Sequence, residues 1–420
     1  MPTPQVSIPL DIPHVRVLKT RTNLAGDYII TVESTLRSTH CRKCGREIDK
    51  FHGHDKWVKV RHLPLFGRRV YLRYRPKRYA CPYCDGQPTT TEVVDWHAPR
   101  SPHTKAYDRH LLLQSINSTV EDVSHKEQVG YDAVEGAIAR HIQTRVNWST
   151  FDELGVIGID EIALTKGRHN FVAIITTQQA DGQVAVLAVL PDRQKDSVRQ
   201  FLETIPARLR VTMHTACTDM WDGYVNAVKE FAQAHTDVSL EVVVDRFHVA
   251  KNYRQGVDAL RKKECRRLKA ELSAAEYEQH IKGTMWLLRK NNQNLSETER
   301  QRLRNVFSYS PALKLAYTLR EELSAIFELP LTKAQALARL AKWQAKVRRT
   351  GLTCFDKFLT TLTNWLQEIA NYFVKRLSSG FVEGLNNKLK TLKRRCYGIP
   401  NITHFFQRLY LDLEGYRRFA

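Results

Sequence analysis

Apolar and polar positions follow a different rhythm in each part of the chain. From about residue 26 to 95 they alternate, as in DYIITVES and RRVYLRYRPKRYA, which predicts strands and turns rich in β-branched and aromatic residues. In SINSTVEDVSHKEQVGYDAVEGAIARHIQTRV the period lengthens. Ser118 with Glu121 and Asp132 with Glu135 fit capping boxes, so two short helices are expected around the turn VGYD, which contains Gly130. From Gly155 strand and helix patterns interleave. GVIGIDEIAL reads as an apolar strand ending in Asp160, followed by strands FVAIITT and VAVLAVL and the helix DSVRQFLETIP. Next come HTACTDMWDGY, a strand ending in Asp219, the amphipathic helix YVNAVKEFAQA, and the strand LEVVVDRFHV, ending at Asp245. Residues from about 255 to 370 are helical throughout, with a capping box at Ser296 and Glu299, a break at Pro330 and the amphipathic run LTKAQALARLAKWQAKV.

Composition narrows what such a chain does. Its 420 residues suggest two to four domains, and an apolar fraction of 42% is ample for real cores. Lys and Arg number 65 against 44 Asp and Glu, a formal charge of +21. Counter-ion release makes such a surface bind nucleic acid, or less often anionic membrane. No apolar run approaches the ~18 to 20 residues of a membrane span, and the N-terminus lacks a basic-then-apolar signal pattern, so a cytosolic protein without membrane association is expected.

Four of the eight cysteines form two CxxC pairs, Cys41 and Cys44 in CRKCGRE and Cys81 and Cys84 in CPYC. Two such turns present four thiolates to one structural zinc ion, with His40, His52, His54 and His62 as alternative ligands. The competing reading is two unrelated turns with free thiols. The single cysteines Cys217, Cys265, Cys354 and Cys396 read as ordinary small buried residues. The two short helices that follow match a helix-turn-helix with residues 132–145, Arg140 among them, as the helix that meets DNA, or else any helical hairpin.

The acids suggest chemistry. Asp160 and Asp219 each end an apolar strand, where carboxylates converge over a sheet edge. Phosphodiester chemistry uses such convergence to hold two magnesium ions about 3.5 to 4 Å apart. A third acid stands alone in the basic stretch SSGFVEGLNNKLKTLKRRCYGI. On a helical wheel Glu383, Asn387, Lys390 and Arg394 share one side, opposite Phe381, Leu385, Leu389 and Leu392. The bases Lys388, Lys390, Lys393, Arg394 and Arg395 would hold a polyanion, with Glu383 reaching it through the metal. Against this, a Glu three or four residues from a base is commonly a solvated pair, and Asp219 also suits the cap of the helix after it.

Four motifs in order, GIDEIALTKGRHNFVAIITT, CTDMWDGYVNAV, VVVDRFHVAKNY and the basic stretch around Glu383, resemble bacterial insertion-sequence transposases of the ISL-three group. The order of elements resembles that family too: three strands, helix, strand, helix, strand, as in an RNase H-like sheet. The implied fold is multidomain α/β. It comprises an N-terminal β-rich zinc-binding module (1–100), a helix-turn-helix (101–150) and an RNase H-like catalytic core (151–254). An all-α insertion (255–370) interrupts the core, and C-terminal helices (371–420) complete it. The resemblance implies a catalytic, magnesium-binding triad of Asp160, Asp219 and Glu383. Asp245 is the rival second acid, Asp222 a more remote one, and Asp245 with His248 a supporting motif. It further implies a Mg²⁺- or Mn²⁺-dependent enzyme of the bacterial cytoplasm and nucleoid. Such an enzyme binds the terminal inverted repeats of its element as a dimer or larger assembly, cleaves there, and joins 3′-OH ends to target DNA. Two alternatives are a non-catalytic zinc and helix-turn-helix regulator and an RNase H-like structure-selective nuclease.

Overall fold

The computed structural model describes residues 8–420, save 165–170, 180, 245 and 377–379 and the side chains of 380–383 and 386. The chain divides into two compact units: residues up to Gln143 together with Gln407–Ala420, and Thr144–Phe406.

The first unit begins with nine strands: β1 (Val15–Thr22), β2 (Tyr28–Ser34), β3 (Thr39–His40), β4 (Glu47–Ile48), β5 (Phe51–His54), β6 (Val58–Leu65), β7 (Arg68–Tyr74), β8 (Lys77–Ala80) and β9 (Thr89–Thr91). They form a four-stranded sheet ordered β1-β2-β7-β6, a ribbon β3-β4 and a three-stranded sheet β5-β8-β9. The alternation seen in the sequence sends Val32, Val60, Leu72 and Tyr74 to one face, where they meet Val94 and Trp96. Three helices follow, α1 (Lys105–Ser115), α2 (Val120–Glu127) and α3 (Tyr131–His141).

Both expected caps shift. Thr119, not Ser118, caps α2, its hydroxyl accepting from the Asp122 N–H at 3.0 Å. Gln128 closes α2 with a left-handed φ of 53°, and Gly130 is the N-cap of α3, with no side-chain cap, so Asp132 serves as an acid in the first turn.

The second unit carries β10 (Gly155–Ala163), β11 (Phe171–Gln178), β12 (Val184–Val189), α4 (Lys195–Glu203), α5 (Ala207–Arg210), β13 (Met213–Thr218), α6 (Asp222–Ala234) and β14 (Glu241–Val244). This is the order anticipated from the sequence. The sheet runs β12-β11-β10-β13-β14, antiparallel across β12, β11 and β10 and parallel across β10, β13 and β14. Side chains on alternate faces build two cores. Ile157 and Ile159 pack with Val198, Leu202, Val228 and Phe231 of α4 and α6, whereas Val156, Cys217 and Val243 join the helices that follow.

Those helices begin earlier than about residue 255. After β14 the chain enters α7 (Arg246–Glu271), then α8 (Ala274–His280), α9 (Met285–Arg289), α10 (Glu297–Tyr309), α11 (Pro311–Glu328), α12 (Lys333–Arg349), α13 (Asp356–Asn364), α14 (Leu366–Ala370) and α15 (Tyr372–Lys375). Capping boxes at Ser273–Glu276, Ser296–Glu299 and Thr332–Gln335 set three of their starts. Tyr253 of α7 stacks on Phe355 with ring centroids 4.6 Å apart, at the heart of this helical core. The early start of α7 follows from Val249 and Tyr253, which bury in that same core.

Two helices end the chain, α16 (Gly380–Arg395) and α17 (Ile402–Phe419). The expected span 371–420 does not stay together, because the end of α17 belongs with the first unit. There Arg408 donates to the Ser115 carbonyl at 2.7 Å, Gln407 donates to the Ile142 carbonyl at 3.0 Å, and Asp412 accepts from the Asn117 N–H at 2.9 Å.

Gly256 in α7 marks a close approach in the helical core. A Cβ there would lie 2.7 Å from the Cys354 carbonyl and 2.8 Å from the Phe355 ring. Alanine is the better helix former by roughly 1 kcal/mol, yet Gly256→Ala should lower stability by about 1 to 3 kcal/mol through overpacking. Thermal unfolding read by far-ultraviolet circular dichroism checks this; an unchanged or raised Tm would contradict it.

Candidate functional site

The four paired cysteines come together. Cys41 and Cys44 lie in the turn between β3 and β4, Cys81 and Cys84 in the turn after β8, and all four sulfurs fall within 4.8 Å of one another. None is in a disulfide. The Cys44 and Cys81 sulfurs are 3.7 Å apart, near the roughly 3.8 Å edge of a tetrahedron built on a Zn–S bond of about 2.3 Å. Backbone N–H groups of Cys44 and Lys43 point at the Cys41 sulfur and pull its thiol down to about 6. The neighbouring sulfurs, Cys44 first, push the Cys84 thiol up to about 12. Four thiolates cannot ionise together without a cation between them, and an all-sulfur tetrahedral set suits zinc. The histidine alternatives fall away among the described residues. His62 bonds through Nδ1 to the Thr104 hydroxyl at 3.0 Å, and the cluster contains cysteines alone.

In the second unit the parallel pairing of β10 with β13 decides where the acids go. Ile159 pairs with Thr218 as the last rung, so Asp160 and Asp219 follow side by side where the parallel ladder ends. Asp160 does not end its strand as expected, since β10 continues to Ala163 by pairing with β11; it ends only the parallel ladder. Asp219 follows the last residue of β13 and caps nothing, because the N-cap of α6 is Trp221. Asp222 is exposed in the first turn of α6, where it complements the helix dipole.

Asp219 is in an unusual state. Its Oδ1 is buried without a hydrogen-bond partner. Burial first, then the charges of Asp160 and Glu161, pushes its carboxyl up to about 7, against the pull of Lys251 and Arg193. Asp160 accepts from the Glu161 N–H at 2.6 Å. Glu161 is held by Arg193 at 2.9 Å, and the Arg193 guanidinium lies over Trp221 (4.4 Å) and Phe171 (4.8 Å). An orphaned carboxylate oxygen beside a second carboxylate fits a hard divalent cation. The sequence reading missed Arg193, Lys251 and Glu161. The only available signal was basic or acidic character near a strand end, which many surface residues share.

The helix carrying Glu383 lies beside this strand. α16 packs against β10, and Lys393 donates from Nζ to the Ala163 carbonyl. Lys393 is therefore half-buried and spent on joining helix to strand, and burial lowers its pKa. It is not the exposed phosphate contact expected of it. Lys390 and Arg394 are exposed, Lys388 and Arg395 half-buried. The side chain of Glu383 and all of Asp245 lie outside the described residues, while His248 is half-buried near the start of α7. In the first unit Arg140 forks onto the buried Asp108, with Nε 2.9 Å from Oδ2 and Nη2 2.8 Å from Oδ1. Its charge ties α3 to α1, a departure from the expected DNA contact.

A zinc-ribbon-like cysteine cluster and a sheet with converging acids define a class, and comparison with known proteins agrees. A family model described as a transposase matches residues 157–409, and another, described as the zinc-finger of transposase IS204/IS1001/IS1096/IS1165, matches residues 37–84. The first spans more than half of the chain, which thus belongs to the ISL3 transposase family. Its relatives include the transposase for insertion sequence element IS1001 of Bordetella parapertussis, 27% identical over 93% of this chain and 92% of that protein. The transposase for IS1557 of Mycobacterium tuberculosis is 23% identical over 91% of this chain and 88% of that one. Among solved structures, the Drosophila P element transposase strand transfer complex aligns with a TM-score of 0.45 and 14% identity, covering 75% of this chain and 93% of that chain. Among the described residues no helix is long and apolar enough to cross a membrane.

Two outcomes test the site. A carboxyl raised from 3.8 to about 7 stabilises the metal-free fold while it holds its proton, and that stability is lost as pH rises through about 7. Asp219→Asn should therefore match wild type near pH 4 and exceed it by roughly 1 to 3 kcal/mol at pH 8 in chelator-treated protein. Denaturant melts at the two pH values measure this, and equal stability at pH 8 would refute the buried-charge account. Cys81→Ser should release the zinc, read by metal analysis of the purified chain, while the second unit keeps its unfolding transition.

Proposed function

We propose that this chain is an end-binding DDE transposase that cleaves DNA at the terminal inverted repeats of its element and joins the freed 3′-OH ends to target DNA. The observation that carries the reading is the side-by-side placement of Asp160 and Asp219, with an unpartnered buried oxygen, next to the helix that bears Glu383. The strand order 3-2-1-4-5 supports an RNase H-like core, with α7 to α15 as its helical insertion. Asp160, Asp219 and Glu383 are the residues that would hold Mg²⁺ or Mn²⁺. When bound, the metal supplies Lewis acidity to the attacking and leaving oxygens of an in-line displacement. Asp245 is the competing second acid, and His248 supports the site from α7.

This chain's own groups do the rest. Arg193, braced on Trp221, and Lys251 bring positive charge to the acid pair, where a phosphodiester would otherwise be repelled. Lys388, Lys390, Arg394 and Arg395 along α16 track the backbone of the same strand. In the first unit α2 and α3 form a helix-turn-helix that reads the ends, held in place by the zinc ribbon. Synapsis of two ends calls for at least two protomers, and the work is done on DNA in the bacterial cytoplasm.

Asp160→Ala should abolish nicking of an end-containing duplex in Mg²⁺, by at least a hundredfold on the scale of single catalytic groups, while leaving binding of that duplex intact. Undiminished nicking would refute the assignment. A wild type that binds ends and never cuts is the regulator; one that cuts and never joins a 3′-OH end to a plasmid is the nuclease.

A further inference from the structure

One face of the sheet β1-β2-β7-β6 is the apolar core; the other is covered at one end, where Ile29 and Arg61 are buried, and open at the other. Register assigns its residues in rows. Lys19 pairs with Thr31, Thr31 with Arg73, and Arg73 with Lys59, so one row crosses four strands, about 14 Å at strand spacing, with basic side chains on three of them and Thr31 on the other. Trp57 and Arg75 flank the row, and Tyr71 lies one step along β7 on the same face. Lys19, Trp57, Lys59 and Arg75 are exposed.

The cations rest on the rings. The Arg73 guanidinium is 4.2 Å and that of Arg75 6.0 Å from the Trp57 ring centre, and the Lys59 ammonium is 4.0 Å above Tyr71. Among the described residues, none of Lys19, Lys59, Arg73 and Arg75 forms an ion pair with a carboxylate, although Arg75 donates from Nε to the Asp55 carbonyl at 3.0 Å, whereas their neighbours on the same face do pair with acids. Arg16 holds Glu33 at 2.6 Å and Arg69 holds Asp27 at 2.6 Å. Arg61, at the covered end, is buried and donates to the Glu127 carbonyl at 3.2 Å. The contrast extends to the second unit, where a cavity of about 380 Å³ is lined by arginines already committed, Arg246 to Glu328 and Arg289 to Asp258. A guanidinium held over an indole loses little entropy on meeting a phosphate.

We propose that this open face binds the phosphate backbone of duplex DNA through Lys19, Lys59, Arg73 and Arg75, braced by Trp57 and Tyr71. The inference rests on the end-binding transposase reading and names one surface that would carry it. The contact is independent of base sequence and strongly dependent on salt.

The test uses the full-length chain, a duplex bearing the element's terminal repeat and a scrambled duplex of equal length. Binding is followed by fluorescence anisotropy across a salt series. For Lys59→Ala with Arg73→Ala, the slope of log K against log salt should become shallower by about 2. Affinity for both duplexes should fall by a similar factor, on the order of tenfold. Arg16→Ala, on the same face but paired with Glu33, should leave both unchanged. An unaltered slope in the double variant overturns the proposal, as does a loss confined to the repeat-bearing duplex, which would mean base reading. Should the first pair unfold, the exposed pair Lys19→Ala with Arg75→Ala carries the same expectation. A wild type that binds both duplexes equally defeats end recognition and leaves the sheet-face test standing; a wild type that binds neither defeats both.

Discussion

Two carboxylates set side by side in a half-buried site repel each other and resist leaving water, and the second unit is built around that cost. Nothing in the packing of β10 and β13 requires acids at the step after Ile159 and Thr218; apolar residues would continue both strands at less expense. The fold tolerates them because each flank brings compensation. Arg193 engages Glu161 from the turn before α4, Lys251 adds charge from α7, and α16 is pinned to the same strand through Lys393 and the Ala163 carbonyl. The compensation is incomplete, and Asp219 keeps an oxygen with no partner. A site that is fully neutralised by its own residues has no reason to take up a cation; one left short of positive charge does.

The same incompleteness explains why the acids were legible in the sequence. An Asp following a buried stretch is conspicuous because a core has no use for it; GVIGID shows this clearly, and HTACTD, with His214, Thr215 and Thr218 in it, less so. What the pattern did not contain was the partner. Local periodicity showed β10 as a strand, but only its antiparallel pairing with β11 carries it on to Ala163. The caps of α2 and α3 moved for a related reason. Ser118 and Thr119 compete at the start of α2 and Thr119 takes the cap, while the left-handed turn at Gln128 ends α2 so that Gly130 precedes α3.

Charged residues were the least legible of all. A sequence shows that a side chain is basic, not whether an acid awaits it. Arg140 was expected to face DNA and instead forks onto Asp108, and Lys393 was expected to hold phosphate and instead holds a carbonyl. The end of α17 went unread because its anchors, Gln407, Arg408 and Asp412, are buried polar groups bonded to backbone atoms 265 to 295 residues earlier. Zinc was easy by comparison. Paired cysteines have few other uses in a chain without disulfides, and the spacing of two turns is enough to bring four sulfurs together.

A surplus of 21 positive charges therefore has to be sorted before it says anything about function. That surplus is what remains when 65 bases are set against 44 acids, and the bases paired with Asp108, Asp27, Glu33, Glu161 and similar acids stabilise structure at little benefit to a ligand. The informative cations are those the fold has oriented and then left without a carboxylate. Holding a guanidinium on an aromatic ring fixes its position without neutralising it, whereas a salt bridge does both. The two arrangements look alike in composition and opposite in consequence, because a neutralised cation releases no counter-ions on meeting DNA and an oriented, unneutralised one releases nearly one per phosphate. Affinity for a polyanion thus depends less on how many bases the chain has than on how few acids it places beside a chosen subset of them.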